Sequence, residues 1–167
     1  MSLGVPVEFV RLIRLLTEAD CDFVIVGGLA LSIHGGDYVT VDVDFAFNRR
    51  RENARLIARA LQPYGPRPVG FAPDLPFVWD EQTVMNSSML TLETAIGRVD
   101  LLAEPAGAPN YEVLKNRATV FKLDGKDVYV ASIDDLISMK RAAGRQKDLG
   151  HIAELETLKR LIEEGQA

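Results

Sequence analysis

Residues 40–47 read TVDVDFAF, a strict alternation that places two carboxylates two positions apart. Side chains at i and i+2 of a strand point the same way. The pattern therefore predicts a strand with Val41, Val43, Phe45 and Phe47 toward the core. Thr40, Asp42, Asp44 and Ala46 then face the other side. Two ionised carboxylates on one pleat repel, and the pKa of at least one rises. Either water on a solvent-facing surface or a cation relieves that conflict. Mg²⁺ takes oxygen ligands and is commonly held by one or two carboxylates plus substrate phosphates. A pair of such ions activates an attacking oxygen and steadies a leaving one. Taken alone, the Asp-x-Asp pair leaves both readings open.

Two further features bear on the choice. Gly27-Gly28 follows the apolar run DFVIV (22–26), a predicted strand, and precedes LALSIHG (29–35), a predicted short helix. Paired glycines let the backbone turn sharply and let a phosphate come close. The first N–H groups of a helix are unpaired and attract anions. A plain tight turn is the alternative. The second feature is Asp100, which stands in GRVDLLA (97–103) between Val99 and Leu101, on another predicted strand. If that strand lies beside 40–47, three carboxylates converge; otherwise Asp100 is a surface charge. Glu93 and Glu104 are rival third acids, ranked behind it.

The remaining chain predicts an α+β fold: a mixed sheet with helices packed on it and a helical tail over about 133–165. Amphipathic helices are expected at 6–19 and 51–65, and a loop at 66–76. From 77 to 103 the pattern reads as β, with strands at 89–94 and 97–103 joined by a tight turn. A helical turn follows at 111–118, then a hairpin at 119–132 around Asp124-Gly125. Ser132 caps a helix over 133–143 with Asp135 at N3. The last helix, 146–163, carries Leu149, Ile152, Leu155, Leu158 and Leu161 or Ile162 on one face.

The 167 residues, 47% hydrophobic and 26% charged, are expected to form a single domain over 1–167. A formal charge of −5 argues against a chain that coats nucleic acid indiscriminately. The one cysteine, Cys21, precedes an apolar run and is read as a buried thiol. No stretch approaches the roughly 18 consecutive apolar residues of a membrane span, and no charged-then-apolar leader is evident, so a cytoplasmic location is expected.

Gly27-Gly28, thirteen residues, Asp42-Val43-Asp44 and a later Asp100 between apolar neighbours together resemble the polymerase-β-type nucleotidyltransferase superfamily. The stretch IDDLISMKRAAGRQKDLGHIAELETL (133–158) looks like the tail of minimal nucleotidyltransferases related to AbiEii-type toxins. The resemblance covers about 24–160. It implies that Asp42, Asp44 and Asp100 bind Mg²⁺ or Mn²⁺, and that Asp100 helps deprotonate an attacking hydroxyl. Gly27 and Gly28 would cradle nucleotide phosphates. Lys140, and with it Arg145 and Lys147, would hold phosphate by charge. Asp148 matches the tail pattern or only pairs with a neighbouring cation.

The implied reaction moves a nucleoside monophosphate from an NTP such as ATP to a hydroxyl on tRNA, protein or a small molecule. A cognate toxin or antitoxin is an implied partner; a membrane is not. Two departures stand out: Gly28 where many relatives carry Ser, and Tyr38 where many carry Arg. They keep open an inactive module of the same fold that binds a nucleotide or a partner protein. Arg49-Arg50-Arg51 offers contacts to an RNA backbone or is a charged loop and helix start. His34 and His151 read as helix-packing residues, and Trp79, Phe71 and Phe77 as sheet packing.

Overall fold

The acidic strand lies at the middle of one mixed sheet, and its neighbours explain why. The computed structural model describes residues 5–36 and 39–165. Tyr38 lies outside these residues. Strands β1 (Phe23–Val26), β2 (Asp42–Phe47), β3 (Arg67–Pro68), β4 (Met89–Thr94), β5 (Gly97–Leu102), β6 (Thr119–Leu123) and β7 (Lys126–Val130) run in the order β3-β4-β5-β2-β1-β7-β6. All four residues of β1 are buried, as a central strand covered on both faces requires. β2 pairs antiparallel with β1 and parallel with β5.

The helices are α1 (Val7–Glu18), α2 (Gly27–Ile33), α3 (Arg51–Leu61), α4 (Glu81–Asn86), α5 (Tyr111–Arg117), α6 (Ile133–Ala143) and α7 (Gln146–Glu163). α1 buries Phe9, Leu12, Ile13 and Leu16, the stripe its spacing predicts, and packs on α3, β5 and β7. α2 packs on β1, β2 and α6, and α6 packs on α7. The core runs through Phe45, Phe47, Ile25, Leu29 and Leu101, and Phe23 meets Phe45 edge-on at 5.0 Å between ring centroids. The β6–β7 hairpin turns at Asp124 (φ 53°) and Gly125 (φ 81°), the two left-handed positions expected of Asp-Gly. Ser132 accepts a hydrogen bond from the Asp135 amide, as read from the sequence.

Several boundaries depart from expectation. The 77–103 stretch is not all β: α4 occupies Glu81–Asn86, and Asp80 caps it by accepting from the Thr83 amide. That Asp-x-x-Thr signal was present in the sequence. The loop after α3 contributes the two-residue edge strand β3 against β4. Gly27-Gly28 is not a turn before a helix but the first turn of α2 itself. Val41 precedes β2 and is 70% exposed, so the inward face begins at Val43. Ala46, assigned to the polar face, is buried as well. On α7 only Leu155 of the expected apolar face is fully buried, while Leu149 is 63% exposed.

Candidate active site

Parallel pairing of β2 with β5 sets Asp44 directly opposite Asp100. Partners in register share a face, and Asp42 lies two positions along the same pleat. The three carboxylates therefore face one side of the sheet, the arrangement the sequence reading required. β1 ends at Val26, which is paired with Asp44, so the chain enters α2 immediately beside that carboxylate. Gly27 has φ +69°, and a Cβ built on it would stand 1.9 Å from Asp44 Oδ2. Only glycine serves there, for backbone conformation and for space.

A cavity of about 590 Å³ opens over these residues. Asp42, Asp44, Asp100, Gly27 and Gly28 line one side, and Lys140, Arg145 and Lys147, from α6 and the start of α7, line another. Lys140 is 9% exposed, and its positive charge lowers the Asp44 pKa against the other influences there. Those others win. Burial, a hydrogen bond to Asp100 and the charges of Asp100 and Asp42 push Asp44 up to about 7. Asp100 is also raised, by burial first, while the hydrogen bond to Asp44 pulls it down. Both carboxyls are thus shifted toward the protonated form.

Among the described residues no group of three or more His, Cys, Asp or Glu stands arranged for a metal ion. The donor chemistry nonetheless fits a hard divalent cation. All three side chains offer oxygen, and Asp42 Oδ1 and Asp100 Oδ1 are buried without a hydrogen-bond partner among the described residues. A buried acceptor left unpaired is costly, and a cation satisfies it.

Other candidates fall elsewhere. Glu104 lines the cavity but pairs with Arg49 at 3.7 Å, and Glu93 pairs with Arg98 at 3.2 Å across the strands. Arg50 and Arg51 also face carboxylates, Glu112 at 3.5 Å and Glu81 at 3.1 Å. His34 Nε2 is 2.8 Å from the Ala131 carbonyl, and Trp79 Nε1 donates to the Ala58 carbonyl at 2.8 Å; both are packing contacts. Burial pushes the Cys21 thiol up to about 12, well away from nucleophilic use. The sequence reading did not include the wall formed by Met89, Leu102, Pro105 and Met139. No spacing rule marks such apolar residues, because they come from three separate segments.

Residues 7–163 match the model of a family described as "Nucleotidyltransferase of unknown function (DUF6036)". Two solved structures are similar in fold. One is a "putative nucleotidyltransferase" from Thermotoga maritima, at TM-score 0.51 and 16% identity, covering 94% of each chain. The other is an antigenic nucleotidyltransferase-like protein from Paracoccidioides brasiliensis, at TM-score 0.51 and 16% identity, covering 91% of this chain and 73% of that one. No curated protein matches. Among the described residues no helix is long and apolar enough to cross a membrane.

Proposed function

The chain belongs to this nucleotidyltransferase family, matched over residues 7–163, and from that premise we propose that its cavity transfers a nucleoside monophosphate from an NTP to an acceptor hydroxyl. The observation that carries the reading is the Asp44–Asp100 register, with Asp42 on the same pleat and Lys140 lining the same cavity.

Asp42, Asp44 and Asp100 would hold Mg²⁺ or Mn²⁺. Such an ion neutralises phosphate charge and lowers the pKa of an attacking oxygen. Lys140 and Arg145 bind the phosphates from the opposite wall as fixed positive charges. Gly27 and Gly28 leave the phosphate side of the cavity free of side chains. Asp100, ionised, takes the proton of the acceptor hydroxyl. That oxygen bonds to the α-phosphorus, the bond from phosphorus to the departing oxygen breaks, and pyrophosphate leaves with the electron pair. Positioning and charge neutralisation supply most of the acceleration in phosphoryl-type transfer.

The tail stretch 133–158 supports a further relation to AbiEii-type toxins, and with it a place in a toxin–antitoxin pair whose acceptor is tRNA or protein. The test is transfer from each of four labelled NTPs, with Mg²⁺, to total tRNA or to a protein extract. Label should appear on one acceptor class with wild type and vanish with Asp42→Asn plus Asp44→Asn. Transfer that survives the double substitution rules the chemistry out. Nucleotide binding without any transfer favours an inactive module of the same fold.

A further inference from the structure

Asp148 is the one acidic residue among the described residues whose side chain is wholly buried and yet paired with two cations. Gly144, at φ +63°, ends α6 in the left-handed conformation and turns the chain back, so the first turn of α7 lies beside the last turn of α6. Asp148 is the third residue of α7. Its Oδ2 accepts from Arg145 Nε at 2.8 Å and from the Arg145 amide at 3.1 Å. Its Oδ1 accepts from Arg145 Nη2 at 3.3 Å and from Lys140 Nζ at 3.4 Å. His151 Nδ1 stands 3.9 Å from the same oxygen.

The charge is well satisfied, and the Arg145 hydrogen bond first, with the Arg145 amide and the Lys140 charge behind it, holds the carboxyl down at about 2. Lys140 and Arg145 line the cavity; Asp148 does not. Asp148 therefore reaches the site only through them.

We propose that Asp148 is a positioning residue: from behind the cavity wall it sets Lys140 and Arg145 as one preformed anion-binding edge facing the three aspartates. This rests on the nucleotide reading for what the edge binds, but not for what Asp148 does to Lys140. Two long, rotamer-rich cations would otherwise be ordered only when phosphate arrives, at a cost in binding. A cation held by a carboxylate behind it is already in place. The claim is specific to phosphate, because the two side chains that Asp148 holds are both cations.

Two readouts test it on the full chain. The first is amine acetylation followed by mass spectrometry. Asp148→Asn should raise Lys140 labelling about tenfold, the equivalent of one charge-assisted hydrogen bond, while Lys122 and Lys159 stay unchanged. The second is binding of inorganic tripolyphosphate and, separately, of adenosine, each with Mg²⁺. The variant should bind tripolyphosphate about tenfold more weakly and adenosine equally well, with a cooperative melt. Unchanged Lys140 labelling, or equal losses for both probes, overturns the proposal. If Asp148→Asn does not fold, Asp148→Glu decides, since it keeps the charge and moves it by one methylene. A loss confined to tripolyphosphate supports positioning, and wild-type affinity overturns it. A wild type that binds neither probe defeats the nucleotide reading alone, and the labelling result still decides the role of Asp148.

Discussion

Gly27 and Asp44 compete for one volume: a β-carbon on the glycine would lie 1.9 Å from Asp44 Oδ2 and 2.9 Å from its Cγ. The glycine is thus part of the acidic site even though it carries no functional group. Gly27→Ala should force Asp44 off its pleat and strain a left-handed position. The expected cost is about 1–3 kcal/mol of stability. Mg²⁺-dependent nucleotide affinity should fall further than the melting temperature implies. Thermal melts with and without Mg-ATP check this, and a variant that melts and binds like wild type contradicts it.

The raised Asp44 carboxyl predicts a pH dependence of an unusual sign. Asp44 is raised to about 7 in the folded state. Between the ordinary carboxylate value and 7, the folded chain holds a proton that the unfolded chain has released. Stability without metal should therefore fall as pH rises through that window and level off above it. Asp44→Asn removes the repulsion, and should stabilise the metal-free protein at pH 8 by about 1–3 kcal/mol and flatten the profile. Mg²⁺ should stabilise wild type more at pH 8 than at pH 5. Denaturant unfolding across pH measures all three, and a profile that rises from pH 5 to pH 8 is incompatible with the pair.

The proposed mechanism gives Asp100 and Lys140 different roles. If Asp100 is the proton acceptor, its loss should be felt mainly in the chemical step. Asp100→Asn should lower kcat of the nucleotidyl transfer by about 10²–10⁴-fold, with a smaller change in the KM for NTP. Lys140→Met should do the reverse and raise that KM most. Steady-state kinetics with the acceptor class identified by the labelled-NTP assay distinguishes the two; identical effects would mean that one of these roles is misassigned.

A second polar cluster at the opposite end of β1 serves as a control. Asp22 Oδ1 accepts from Tyr111 Oη and Lys115 Nζ, each at 2.7 Å, and Oδ2 accepts from Asn48 at 2.9 Å. Burial raises its pKa, but the hydrogen bonds from Lys115, Tyr111 and Asn48 outweigh that and leave it below the ordinary value. The cluster fastens α5 to the sheet and does not line the candidate active-site cavity. Asp22→Ala should cost about 2–3 kcal/mol and leave nucleotide affinity unchanged. The Asp22 contribution should be present above the unfolded carboxylate pKa and be lost as pH falls below it. A change in nucleotide affinity at constant fold would mean that the two ends of β1 are coupled.

Much of this site was legible in the chain before any coordinates. The alternation at 40–47 placed Asp42 and Asp44 together, since a strand has a period of two whatever lies around it. Asp-Gly at 124–125 demanded the hairpin, and Ser132 announced the start of α6, because turns and caps are decided within a few residues. α4 shows the cost of reading by regional pattern: one capping aspartate, Asp80, outweighed the β-rich composition around it.

Local chemistry along the chain therefore determined the acidic strand, the strand that carries Asp100, the hairpin and the helical tail. Four things needed the fold. They are the parallel register that sets Asp44 against Asp100, the glycine that yields its side-chain space to Asp44, the raised pKa of Asp44, and the burial of Asp148 behind Lys140. Each depends on distances between residues far apart in sequence and on how completely water is excluded from them. A pKa or an ion pair responds to that exclusion and to those distances, and neither is written in the order of the residues.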